Sequence, residues 1–392
     1  MPTVEGSAGR PSGGVIELSI GSLATGGDGV GRAPDGRVVF VPLSAPGDRL
    51  RVRIIEERAR FARGEIDALL EGGPDRVAPE CPVFGDCGGC SWQHVRYAAQ
   101  LEAKRAIVRD ALARIARLER LPEIEFVASP RAYGYRSRAR LLVAGGRVGF
   151  RRRRSHEVCP IARCPLLVPE LDRALGALAA DPPAVDGEWE LALGEGGELR
   201  SASLADPARA ARIELRAGAE RFSASLGVFA QANALLLDPL WSTVVGAVGA
   251  GALALELFAG AGFFTLGLAS RFERVVAVEG DPLAARDLAR NVADRRVRVI
   301  EARVESWLAE PGLAPDAILL DPPRGGLGRG PSERLAALPA RRIAYLSCDP
   351  ATLARDLAAV VPHAFRVARV CGFDLFPQTP HVEALVVLDR EG

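Results

Sequence analysis

Long uninterrupted apolar runs are missing from this 392-residue chain. The nearest approach, 239–270, has Glu256 as its only charge. The seventeen uncharged residues before Glu256 barely reach a bilayer span, and the glycines around them suit a buried strand between turns. An apolar leader is missing too. Residues 1–14 are polar and rich in Gly and Ser, which argues against secretion and for a cytoplasmic protein without membrane attachment. No internal repeat is visible. Apolar residues at 48% and charged residues at 25% exclude a disordered chain, a fibrous repeat and a small disulfide scaffold. The length suits two or three domains.

Lysine is almost absent: Lys104 is the only one, and every other side-chain base of the Lys/Arg class is arginine. A net charge of +1 points to no partner, but it divides unevenly, +8 over residues 1–154 and −7 over 155–392. A basic front half suits a polyanion such as nucleic acid, while a genomic preference for arginine is the bland explanation. The seven cysteines are odd in number and follow no leader, which points away from disulfides.

What is present falls into blocks. Over 15–70, apolar strands near 15–20, 38–41 and 50–55 alternate with turns such as Gly26-Gly27-Asp28-Gly29 and Pro46-Gly47-Asp48. This predicts a five-stranded barrel of the oligonucleotide-binding kind. Residues 92–120 change to helical spacing, with Tyr97, Leu101, Val108, Leu112 and Ile115 among the apolar positions. The chain is strand-like and rich in turns over 123–225. From 250 onward, seven apolar strands near 252–258, 274–279, 297–300, 317–320, 343–346, 365–371 and 384–388 are mostly linked by helices. They predict an α/β, doubly wound seven-stranded sheet.

The first of these strands runs through Phe258 into Gly260-Ala261-Gly262, where glycine lets the backbone approach a ligand. The second delivers Glu279 and Asp281, with Glu279 at the spacing from which an acid takes ribose hydroxyls. The third glycine of a dinucleotide fingerprint is missing, and Thr265 stands in its place. A cofactor without a pyrophosphate fits better, so S-adenosylmethionine is expected on Phe258, Gly260, Gly262 and Glu279.

Three more signals fall at strand ends, where an open sheet binds its ligands. Asp321, in Asp321-Pro322-Pro323-Arg324, can hydrogen-bond the edge of a planar base. Cys348 precedes Asp349-Pro350 at a helix start whose field favours thiolate, against the charge of Asp349 itself. The last two strands share a short loop and should be antiparallel, which brings Glu383 to the same edge. A thiolate, a carboxylate and a methyl donor suggest addition of Cys348 to carbon 6 of a pyrimidine, methylation at carbon 5, and removal of the carbon-5 proton by Glu383. Uracil and cytosine both stay open, since Asp321 could supply the proton cytosine needs. The competing readings are an exocyclic amino-methyltransferase, suggested by Asp-Pro-Pro, and a non-catalytic iron–sulfur RNA-binding protein.

Cys81, Cys87 and Cys90 are close-set, and Cys159 or Cys164 could complete a four-thiolate site. Only one Cys-x-x-Cys pair is present where structural zinc more often has two, which favours an iron–sulfur cluster. Arg151-Arg152-Arg153-Arg154 is either a solvated turn or a phosphate contact.

At these residues the chain resembles the RNA uracil-5-methyltransferases that carry an iron–sulfur cluster and an N-terminal TRAM domain. The resemblance is nearly full-length. It runs through Gly26-Gly27-Asp28-Gly29-Val30-Gly31, the Cys81 to Cys90 loop with Gln93-His94, and Tyr133-Gly134-Tyr135-Arg136-Ser137-Arg138. It continues through Phe229-Ala230-Gln231-Ala232-Asn233, Asp321-Pro322-Pro323-Arg324, Ser347-Cys348-Asp349-Pro350 and His381-Val382-Glu383. The resemblance implies a TRAM barrel over 14–72, an iron–sulfur and RNA-binding domain over 73–92 and 123–225, and a methyltransferase domain over 93–122 and 226–392. It implies that Gln231 contacts the cofactor, that Asp321 serves the substrate and cofactor site, and that Cys348 and Glu383 are nucleophile and base. Cys164 rather than Cys159 then joins Cys81, Cys87 and Cys90 on a 4Fe-4S cluster. The implied substrate is RNA, ribosomal before transfer RNA, and the protein acts as a monomer. Asp349 replaces the family's usual Asn and Glu256 its usual Asp, and Asp349 could raise the thiol's pKa.

Overall fold

Alternation of inward apolar and outward charged side chains builds the N-terminal barrel. In the computed structural model, which describes residues 14–205, 211–308, 312–363 and 365–391, five strands close it. They are β1 (Val15–Leu23), β2 (Gly29–Arg32), β3 (Val38–Val41), β4 (Arg49–Glu57) and β5 (Phe61–Glu71), joined in the order β1-β2-β3-β5-β4. The polar lead over 1–13 lies outside the described residues. Along β4, Leu50, Val52 and Ile54 are buried, and with Leu18, Ile20, Val39, Val41 and Ala62 they fill the barrel. The intervening arginines meet carboxylates of β5: Arg51 with Asp67 at 2.6 Å, Arg53 with Glu65 at 3.1 Å and Arg49 with Glu71 at 3.8 Å. On this face the arginines are balanced locally, and the basic excess of the front half lies beyond the barrel, over 101–154.

The Pro46-Gly47-Asp48 turn has a structural cause. Asp48 is fully buried and accepts from the Ala45 and Gly73 N–H groups and from the Arg76 guanidinium, at 2.6–3.1 Å. Burial pushes its carboxyl up, but Arg76 and those N–H groups outweigh burial and hold it below the usual carboxylate range.

Residues up to Lys104, with Gln378–Pro380, form one compact unit; Arg105–Pro377 and the residues from His381 onward form the other. The division falls within α1 (Tyr97–Arg114). In the second unit follow β6 (Ile124–Val127), β7 (Arg138–Ala144), β8 (Arg147–Arg151), β9 (Val158–Pro160), α2 (Pro169–Ala180), β10 (Gly187–Leu193) and β11 (Leu199–Ser203). Five of these strands make a sheet in the order β11-β10-β7-β8-β9, and β12 (Arg212–Ala217) pairs with β13 (Glu220–Ser225) as a separate hairpin.

The remainder alternates helix and strand: α3 (Leu237–Val248), β14 (Gly251–Leu257), α4 (Thr265–Ala269), β15 (Phe272–Glu279), α5 (Pro282–Asn291), β16 (Val297–Glu301) and α6 (Val304–Trp307). Then come β17 (Ala317–Leu320), α7 (Arg329–Ala337), β18 (Arg342–Ser347), α8 (Pro350–Val360), β19 (Phe365–Phe373) and β20 (Glu383–Arg390). The seven expected strands are all present, yet the sheet has eight, in the order β16-β15-β14-β17-β18-β20-β19-β6. The extra strand is β6, parallel to β19 through pairs such as Val370 with Ile124. Its four residues lie in the stretch read as strand-like, but a pairing with a strand far along the chain leaves no local signature, so the expectation of seven is corrected. As expected, β20 runs antiparallel to both β18 and β19.

All four residues of β17 are buried, as a central parallel strand covered on both faces requires. One face packs with Val108, Ala111 and Leu112 and with α7 and α8, the other with α3. Among the described residues no helix is long and apolar enough to cross a membrane.

Candidate active site

Register brings the chemistry together. Leu257 of β14 pairs with Leu320 of β17, and Leu320 pairs with Tyr345 of β18. Ser347 of β18 pairs with Ala384 of β20. The residues just beyond these pairs are Phe258, Asp321, Cys348 and Glu383, so four neighbouring strands deliver them to one edge of the sheet.

Asp349 caps α8, accepting from the Ala351 and Thr352 N–H groups at 2.9 and 3.0 Å, with Pro350 at the first helical position. Cys348 therefore sits at the helix start, as the sequence predicts. The expected thiolate does not follow. Burial, then the carboxylates of Glu383 and Asp321, push the thiol up to about 12, with Asp349 adding to the rise and Arg324 opposing it. Three nearby acids outweigh the helix field. Burial likewise pushes Asp321 up to about 7. Glu383, only 3% exposed, is held well above the usual carboxylate range by burial and then by Asp321. Crowded acids and a half-buried thiol, all with raised pKa values, stand together here, the electrostatic signature of a reactive site.

The Gly-x-Gly turn is braced from the neighbouring strand. Glu279 accepts from the N–H groups of Gly260 and Asp281, each at 2.7 Å, and Asp281 caps α5 by accepting from Ala284 N–H at 2.8 Å. Phe258 adopts a positive φ of 61°, which turns the chain sharply out of β14. A Cβ on Gly262 would lie 2.8 Å from the Leu288 side chain, and φ there is +95°. A Cβ on Gly260 would meet nothing within 4 Å, which leaves open ground beside the turn.

Gln231 is buried, and its Oε1 has no hydrogen-bond partner among the described residues; the same holds for Glu256 Oε2. Burial pushes the Glu256 carboxyl up to about 8, partly offset by the Thr265 hydroxyl, with Asp321 and Glu279 adding to the rise. Val228 and Ala230, just before Gln231, share an apolar cluster with Ala259 and Ala261 of the turn. Open space, unpartnered buried acceptors and an acid after the second strand fit S-adenosylmethionine, which offers hydroxyl and ammonium donors.

The sequence missed several supports. Arg138, almost fully buried, pairs with Glu190 at 2.8 Å and donates to the Val228 carbonyl at 3.1 Å. Glu190 in turn accepts from Gly227 N–H at 2.6 Å, so the pair anchors the turn that leads from β13 to Gln231. The Tyr135 hydroxyl donates to the Pro377 carbonyl at 3.0 Å, on the approach to Glu383. Only the Tyr133 to Arg138 motif hinted at this; Glu190 had no signal.

The cluster expected on Cys81, Cys87, Cys90 and Cys164 is not supported. Among the described residues no three His, Cys, Asp or Glu side chains stand together as a metal-holding group. Cys81, Cys87 and Cys90 belong to one compact unit and Cys164 to the other. The Cys164 backbone N–H donates to Asp172 at 2.6 Å. No chemical step is assigned to the group.

Comparison with known proteins agrees with this geometry. A family model described as tRNA (Uracil-5-)-methyltransferase matches residues 311–391, and a TRAM domain model matches 10–66. An uncharacterized RNA methyltransferase of Streptomyces avermitilis is 33% identical over 95% of this chain and 98% of its own. The 23S rRNA (uracil(1939)-C(5))-methyltransferase RlmD of Halomonas elongata is 33% identical, covering 99% of this chain and 92% of its own. Its counterpart from Chromohalobacter salexigens is 34% identical, with 95% and 89% covered. The crystal structure of Pyrococcus abyssi tRNA (uracil-54, C5)-methyltransferase in complex with S-adenosyl-L-homocysteine superposes with a TM-score of 0.74. It is 24% identical over 95% of this chain and all of that one, a likeness of fold.

Proposed function

Because the chain belongs to the RNA uracil-5-methyltransferase family, we propose that it methylates carbon 5 of a uridine in 23S ribosomal RNA through a transient bond between Cys348 and carbon 6. The observation that carries this reading is the meeting of Cys348, Glu383 and Asp321 at one sheet edge, each shifted by the others or by shared burial. An exocyclic amino-methyltransferase needs no thiol there. The two relatives named as 23S rRNA methyltransferases favour ribosomal RNA as substrate; the tRNA enzyme of like fold makes transfer RNA the second choice.

S-Adenosylmethionine supplies an electrophilic methyl carbon and a sulfonium charge when bound. Gln231, Glu256 and Glu279 offer it acceptors. Cys348 loses its proton to a neighbouring carboxylate, and its sulfur adds to carbon 6 of the uracil. The electron pair displaced from the double bond makes carbon 5 nucleophilic, and carbon 5 takes the methyl group. Glu383 then removes the carbon-5 proton, the double bond re-forms, and the carbon–sulfur bond breaks to release the thiolate. Asp321, with a pKa near neutrality, can donate to or accept from the edge of the base. The uridine must leave its stack to reach this edge.

The test is transfer of labelled methyl groups to 23S rRNA fragments and to tRNA transcripts. Label at carbon 5 of uracil is expected, with loss of transfer in Cys348→Ala. Glu383→Gln should accumulate a covalent protein–RNA species, because release stalls. Label on cytosine or on an exocyclic amine would overturn the reading.

A further inference from the structure

Two motifs at this edge also touch each other. Arg324, three residues after Asp321, places Nη2 at 3.2 Å from Nε2 of His381, two residues before Glu383. A guanidinium can only donate, so this contact is a hydrogen bond in the tautomer that leaves Nε2 free to accept. Phe376 meets that ring edge-on, with centroids 6.1 Å apart and planes at 81°. The contact joins the turn that carries the substrate-site acid to the turn that carries the base. Arg324 is also the positive group whose field reaches the Cys348 thiol against those of Glu383, Asp321 and Asp349.

We propose that His381 is a positioning residue which, by accepting from Arg324, holds the guanidinium where its charge favours the thiolate of Cys348. The proposal rests on Cys348 as the nucleophile, and not on which base it attacks. Arg324 is exposed, long and flexible, so without an anchor its charge spreads into solvent and is screened. His381 is that anchor, and Phe376 sets the ring's orientation.

The test uses the full-length protein without RNA. Iodoacetamide alkylation of Cys348, resolved from the other cysteines by peptide mass spectrometry, reports the thiolate fraction at a fixed pH of about 8.5. His381→Ala should slow it about three- to tenfold, tenfold corresponding to a rise of about 1 in the thiol pKa. Arg324→Ala should slow it at least as much. His381→Asn, which keeps an acceptor, should restore much of the rate, and in methyl transfer His381→Ala should lower kcat with KM for RNA little changed. Unchanged alkylation in His381→Ala, with folding verified by circular dichroism, would overturn the proposal, as would failure of the Asn variant to recover. Slowed alkylation in a protein that never methylates uracil would instead count against the function proposed above and leave the positioning role standing.

Discussion

The Tyr345 hydroxyl donates to Asp356 at 2.7 Å, beneath the floor of the active site. Asp356 is fully buried in α8 and accepts as well from the N–H groups of Leu327 and Gly328, at 2.6 and 3.0 Å, and from Arg355. One carboxylate thus ties the turn after Asp321 to the helix after Cys348. Burial, followed by the Asp356 charge, drives the tyrosine pKa upward, so the phenol stays a donor.

Replacing Asp356 with Ala strands the buried Tyr345 hydroxyl and Leu327 N–H, each costing about 1–3 kcal/mol, and the part-buried Gly328 N–H. A loss of stability of about 3 kcal/mol or more is expected in urea unfolding, together with reduced methyl transfer as the loop over 321–328 loosens. A stable variant with normal transfer would show that the loop holds itself.

Glu256 makes stability depend on pH. Its carboxyl is pushed up to about 8 in the fold, against 4.5 for an ordinary glutamate. The folded chain therefore keeps a proton that the unfolded chain gives up. That contribution is whole below pH 4.5 and is lost as pH climbs through 8. Glu256→Gln resembles the protonated form, so it should match the parent near pH 4.5 and exceed it at pH 9. The gain should be a few kcal/mol, since each tenfold change in proton affinity is worth about 1.4 kcal/mol. Thermal or chemical unfolding of the ligand-free protein across this range decides it, and equal stability throughout would contradict a buried ionisable carboxyl.

The rate of methyl transfer in a single turnover should rise with pH from about 6 to 9. Asp321 near 7, a raised Glu383 and a thiol near 12 all gain their reactive forms as protons leave. A flat profile would mean that bound substrates have already ionised these groups.

Two arginines of similar appearance in the sequence should behave differently. Arg138→Ala abandons Glu190 in a buried site and should cost about 3–5 kcal/mol. It should also weaken S-adenosylmethionine binding, since the turn before Gln231 loses its anchor. Arg51→Ala breaks a half-exposed cross-strand pair and should cost about 1 kcal/mol or less. Urea denaturation and cofactor titration distinguish the two outcomes.

Local chemistry determined much of this protein. Two-residue alternation specified the barrel strands, the apolar run over 317–320 specified a central strand, and Asp349-Pro350 specified a helix start. Each signal lies within a few residues of its effect, where sterics, capping and solvation act. The placing of Cys348 and Glu383, the proposed nucleophile and base, at one edge was legible because short motifs sit at strand ends, and the antiparallel return to β20 followed from one short loop.

Only the tertiary structure decided the rest. The eighth strand at Ile124–Val127 exists because β19 is there to pair with it. The raised pKa of the Cys348 thiol reflects burial and carboxylates delivered by two other strands, and Arg138 is a buried anchor because Glu190 comes to meet it. Spacing of cysteines described a possible ligand set, but assembly of such a set depends on where distant segments lie. Burial, net field and pairing depend on neighbours remote in sequence, and those are what the folded chain alone brings within reach.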